Sequence, residues 1–125
     1  MKTKVIVILR ILFGLFLVLF GSDKFFHFLP GLEGLSETAA SYFESLTAAK
    51  VFWLVGIVEL GAGISLLLNK FSALMMVILM SVSVNAILFH LTLDMANIGP
   101  AVVLFALNIV MLYAHREQYR ALLMP

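Results

Sequence analysis

The sequence has no cysteine. Disulfides, thiolate metal sites and a cysteine nucleophile are therefore excluded for this chain. Charge is nearly as scarce: Asp, Glu, Lys and Arg make up 12% of the 125 residues, where soluble domains carry about a quarter. The formal net charge of +1 offers no field for binding nucleic acid. There is no glycine-rich phosphate loop, no nucleophile–base pair and no haem-attachment motif. A metal site is not expected. A haem held by two intramembrane histidines would need a partner for His90, the one histidine inside an apolar run.

What the chain does have is apolar surface. Hydrophobic residues account for 63% of it, too many for a soluble protein of this size, which must also cover its own exterior. They fall in four runs: Val5–Gly21, Val51–Leu68, Phe71–Leu93 and Ile98–Ala114. Crossing the hydrocarbon takes about 20 helical residues, or about 17 at the short end. Helix is the state that satisfies the backbone in lipid without a closed sheet, and the runs lack the alternation of a barrel strand. The first run follows a basic start, "MKTK", but is too long for a signal peptide, contains Arg10 and is not followed closely by a cleavage site. It is read as a retained span. The expectation is an all-α fold: an integral membrane four-helix bundle, residues 1–125 forming a single membrane domain.

The connections are unequal. Only Asn69 and Lys70 separate the second and third runs, which predicts a tight antiparallel hairpin. Pro100 falls in the first turn of the fourth, where proline is tolerated. The long first connection carries Leu35, Ala39, Tyr42, Phe43, Leu46 and Ala49 at spacings of three and four, with Ser36 as N-cap. It predicts a short amphipathic helix in the outer loop. An even number of spans puts Lys2, Lys4, Lys70, Arg116 and Arg120 on one side. Lys24 and Lys50 lie on the other, among Asp23, Glu33, Glu37, Glu44 and Asp94. The basic side, with both termini, is expected to be cytoplasmic, in a cell (inner) membrane.

Polar groups inside spans are expensive and are functional candidates by default. At about 1.5 Å per residue, Arg10 lies roughly 9 Å deep from Lys4, Glu59 roughly 16 Å from Lys70, and Asn108 roughly 15 Å from the opposite side. These depths predict an Arg10–Glu59 pair sharing one interior network with Asn108, either handling protons or ligand or tying helices together. His90 and Asp94, four residues apart, share a helical face and are expected to pair. An outer cluster of His90, Asp94, Asp23, Lys24 and His27 follows, with Lys24 and His27 weighted toward interfacial anchoring. Asn85 is read first as an interhelical hydrogen bond. Gly14, Gly21, Gly56, Gly61, Gly63 and Ser65 are expected to let helices approach closely.

The stretches "RILFGLFLVLFGSDKFFHF", "VELGAGISLLLNKFSAL", "VNAILFHLTLD" and "NIVMLYAHREQYRALL", in that order and spacing, resemble the DoxX family of small four-span membrane proteins. The matching positions are Arg10, Gly14, Gly21, Lys24, Glu59, Gly63, Asn85, His90 and Asp94. The family is named for a subunit of a thiosulfate:quinone oxidoreductase. The resemblance implies a redox-associated membrane protein, a subunit or accessory rather than a stand-alone enzyme, with an intramembrane pocket for a quinone or similar lipid-soluble ligand. His90 would hydrogen-bond a quinone carbonyl, Asp94 would orient His90, and Glu59 with Arg10 would handle protons. Besides the bilayer, a redox protein partner and a homo-oligomer are the expected associations. Two alternatives stand beside this reading: a small proton or solute transporter or channel, and a non-catalytic subunit that stabilises a redox partner.

Overall fold

The computed structural model describes residues 3–29, 31 and 33–125; Lys2, counted in the orientation argument, lies outside them. Five α-helices follow in order: α1 Thr3–Phe26, α2 Glu37–Ala48, α3 Val51–Leu68, α4 Ser72–Leu93 and α5 Gly99–Ala114. A single 3₁₀ turn, Met95–Asn97, joins α4 to α5, and a longer 3₁₀ segment, Arg116–Leu123, ends the chain. No strand occurs among the described residues. The fold is an all-α membrane bundle. Helices α1, α3 and α4, of 24, 18 and 22 residues, are each long and apolar enough to cross a bilayer. Helix α5 has 16 residues, about 24 Å of rise, and the terminal segment bends away from it by 77°.

The outer surface is inverted relative to a soluble protein. Ile8, Leu12, Leu15 and Leu19 on α1, Leu54, Ile57, Ile64 and Leu68 on α3, and Leu74, Val77, Leu88 and Leu91 on α4 are all exposed. Apolar side chains both inside and outside mean that burial of oily surface cannot by itself hold the helices together in lipid. Close packing and hydrogen bonds must do it.

The closest packing joins α1 to α3, which run antiparallel although α2 intervenes in sequence. A Cβ on Gly63 would stand 2.8 Å from the Gly14 carbonyl oxygen and 2.9 Å from the Val18 nitrogen. One on Gly21 would meet the Leu60 nitrogen at 2.9 Å. Gly14, Gly21, Gly56 and Gly63 therefore bring the two backbones into direct contact, whereas Gly61 faces only the flexible tip of Met75. Phe13, Leu17, Ala62, Leu66, Met76, Leu79, Leu104 and Met111 fill the core.

Local chemistry explains the joints. Ser36 Oγ accepts from the Ala39 nitrogen at 3.1 Å, capping α2. Asn69, at φ 54°, ends α3 in the left-handed conformation that asparagine tolerates better than most residues. The hairpin is sealed by the Ser72 hydroxyl, which donates to the Ser65 carbonyl at 3.2 Å. Pro100 sits in the first turn of α5. The Tyr119 hydroxyl donates to the Ala73 carbonyl at 2.7 Å, tying the terminal segment to the start of α4, and burial pushes this phenol above its ordinary pKa.

Asn108, fully buried on α5, accepts from the Ser83 hydroxyl at 2.7 Å and donates to the Met76 carbonyl at 3.0 Å. It is a clamp between α4 and α5. The predicted network of Arg10, Glu59 and Asn108 does not form. Arg10 donates instead to the Leu66 carbonyl. The glycine register sets Arg10 opposite Leu66 and Leu67, and eight residues of α3 separate Leu67 from Glu59, about 12 Å along the axis.

Candidate functional site

A cavity of about 1090 Å³ opens between α1, α3, α4 and the start of α5. Tyr42, Phe43 and Leu46 of α2 form part of its wall. Asp23, Lys24, His27, Glu59, Asn85 and His90 all line it. Six of the polar residues singled out in the sequence thus line one cavity, whereas Asp94 stands behind His90, and Arg10 and Asn108 lie elsewhere.

Glu59 is buried, with its side chain 4% exposed. It shares the inward face of α3 with Gly56, Ala62, Gly63 and Leu66, at the three- and four-residue spacings of a helix stripe. Its partner is Lys24, whose Nζ lies 2.8 Å from Glu59 Oε1. The pair replaces the expected one with Arg10, and the reason is the length of α1. The apolar run ends at Gly21, yet the helix continues to Phe26, so Lys24 is still helical and one turn above Gly21. Close contact at Gly21 brings α1 against Glu59: a Cβ there would stand 3.1 Å from that of Glu59. Lys24 also donates to the Phe20 carbonyl at 3.4 Å. The ammonium is not aligned for a hydrogen bond to Oε1, which has no donor among the described residues.

The His90–Asp94 pair forms as the spacing predicts. His90 Nδ1 lies 3.0 Å from the Asp94 carbonyl oxygen and 3.4 Å from its Oδ2. Both neighbours are acceptors, so Nδ1 carries the proton. Asp94 is held in turn by Asn97, whose Nδ2 lies 3.0 Å from each carboxylate oxygen and 3.0 Å from the Glu33 carbonyl. Asn97 was absent from the sequence reading. Its signal is the Asp94–Asn97 spacing of three within a tight turn.

The remaining candidates play other parts. Asp23 Oδ1 accepts from the Leu29 nitrogen at 2.7 Å, closing the chain as it leaves α1. His27 is exposed and left-handed, at φ 52°. The outer cluster therefore divides: Lys24 turns inward to Glu59, His90 and Asp94 pair separately, and Asp23 and His27 shape the rim. Asn85 donates to the Ser81 carbonyl on its own helix at 2.7 Å and does not bridge helices. A ring cluster holds α2 in place. Phe43 stacks on Phe52 at 5.1 Å and meets Phe89 edge-on at 4.6 Å, while Tyr42 stacks on Phe89 at 5.3 Å.

A family model, DoxX, matches residues 5–92. The chain belongs to the DoxX family. The DoxX match runs from Val5 in α1 to Thr92 in α4 and takes in Arg10, Asp23, Lys24, His27, Glu59, Asn85 and His90; Asp94, Asn97 and Asn108 fall beyond it. No curated protein and no solved structure matches this DoxX chain.

Proposed function

We propose that this DoxX protein is a redox-associated membrane subunit that holds a quinone-type, lipid-soluble ligand in the cavity beneath α2. The observation that carries the reading is the cavity itself: apolar and aromatic walls around the buried Glu59, its half-buried partner Lys24, and the buried His90. Its volume of about 1090 Å³ is at the upper end for small-molecule sites, and a flat ring on an isoprenoid tail matches walls of that kind. Ionisable groups placed this deep are costly unless used.

Phe13, Leu17, Leu66, Met76 and Met111 are fully buried and fill the interior toward the other end of the bundle. This favours a blind pocket over a transmembrane path for protons or solutes. In the orientation proposed from the basic side, with both termini cytoplasmic in the inner membrane, the pocket opens in the outer half. The exposed side of α2, which bears Glu37, Glu44 and Thr38, is the proposed contact for a redox protein partner.

Trp53, the single tryptophan, lines the cavity and reports on it directly. Ubiquinone-1 or its quinol, added to the detergent-solubilised protein, is expected to change Trp53 fluorescence saturably. Filling the pocket through Ala86→Phe should remove that saturation. A linear, collisional response to both forms, unchanged by Ala86→Phe, would refute the reading.

A further inference from the structure

The polar atoms inside the cavity are not neutral with respect to the redox state of a quinone. Glu59 Oε1 is sealed beside the Lys24 ammonium, but Oε2 has no hydrogen bond from a described residue and remains open. In the ionised carboxylate that oxygen can only accept. On His90 the proton sits on Nδ1, facing the Asp94 carbonyl and carboxylate. Nε2 makes no hydrogen bond among the described residues and is not sealed either. In the neutral ring Nε2 is an acceptor.

Donors near these atoms are committed in part. Lys24 pairs with Glu59 by charge and donates one proton to the Phe20 carbonyl, and Asn85 Nδ2 donates one of its two to Ser81. Lys50, which lies over the Trp53 ring at 4.6 Å, sits with that ring at the exposed mouth. A ligand oxygen entering the interior therefore meets two acceptors, Glu59 Oε2 and His90 Nε2, that only a hydroxyl can satisfy, beside the protons that Lys24 and Asn85 have left. A carbonyl oxygen beside Glu59 would set lone pairs against a carboxylate. A hydroxyl fits both neighbours, donating to Glu59 Oε2 while accepting from Lys24.

We propose that the cavity selects the reduced, dihydroxy form of its ligand over the dione, with Glu59 Oε2 and His90 Nε2 accepting from the hydroxyl groups. The inference rests on the pocket reading above and deepens it. It reverses the hydrogen bond expected at His90 from the family resemblance: the ring accepts from a quinol rather than donating to a quinone carbonyl.

The test is anaerobic calorimetric titration of the solubilised protein with ubiquinol-1 and, separately, ubiquinone-1. The quinol is expected to bind about tenfold tighter or more, since each unmatched polar contact carries a full desolvation cost. Glu59→Gln supplies an amide that can donate as well as accept, and should bring the two affinities within about twofold. Equal affinities in the unaltered protein, or tighter binding of the quinone, would overturn the inference while leaving the pocket standing. Absence of binding by either form would overturn the pocket reading and the inference with it. Should Glu59→Gln fail to fold, the ratio in the unaltered protein still decides.

Discussion

Replacing Lys24 with methionine keeps the stem that packs over Gly56 and removes the ammonium from Glu59. At the observed 2.8 Å, the pair attracts by about 6 kcal/mol at an effective dielectric of about 20, and by about 1.5 kcal/mol in water. Glu59 is 4% exposed and Lys24 20%, so the environment is nearer the first limit on one side only. Stranding a buried charge costs about 3–5 kcal/mol, and Lys24→Met is expected to fall in that range. Glu59→Gln in the same chain removes the stranded charge and should recover most of the loss. The coupling energy from the two single variants and the double is then at least about 1.5 kcal/mol. The assay is equilibrium unfolding in mixed micelles, followed through Trp53. Arg10→Met is the control: its cycle with Glu59→Gln should close to within about 0.5 kcal/mol, as for residues without shared partners. A coupling below that value for Lys24 and Glu59, or a larger one for Arg10 and Glu59, would refute the assigned pair.

Gly63→Ala should destabilise the protein by about 1–3 kcal/mol, because its Cβ meets the Gly14 and Val18 backbone. Gly61→Ala, facing only the Met75 methyl at 3.2 Å, should be neutral or stabilising by up to about 1 kcal/mol; the same unfolding assay separates them. Asn108→Ala should cost about 1–3 kcal/mol by removing the two hydrogen bonds that tie α5 to α4, and adding Ser83→Ala should cost little more, because the Ser83 hydroxyl then has only the Met80 carbonyl of its own helix. Tyr119→Phe should release the terminal segment from Ala73, and tryptic cleavage after Arg116 and Arg120 should become several-fold faster.

Much of the bundle was legible because run length, capping and turn chemistry are local. Ser36, Asn69 and Pro100 announced their roles within a few residues of where they act. The His90–Asp94 contact was legible for the same reason: both groups lie on one helical face. The partner of Glu59 was not. Depth along one helix does not give the register between two, and that register is set by where glycines let backbones touch. Lys24 was weighted as an interfacial anchor because hydropathy falls at Gly21, whereas the helix is carried past that point to Phe26 by its own hydrogen bonds and by packing of Phe25 near Gly56. The ring cluster of Phe43, Phe52 and Phe89 joins three helices, which no single stretch of sequence reveals.

The intimacy of the first and third helices also dictates an order of assembly. Glu59 follows Lys24 by thirty-five positions, so at about 5–20 residues per second the lysine is made about 2–7 seconds before its carboxylate. During that wait the nascent N-terminal helix has no tight neighbour, and its ammonium can reach up to the headgroups. Arrival of Glu59 draws the lysine down. The charge that helps hold the mature bundle together therefore settles before Gly14 and Arg10 do, because their partners Gly63 and Leu66 are made after Glu59.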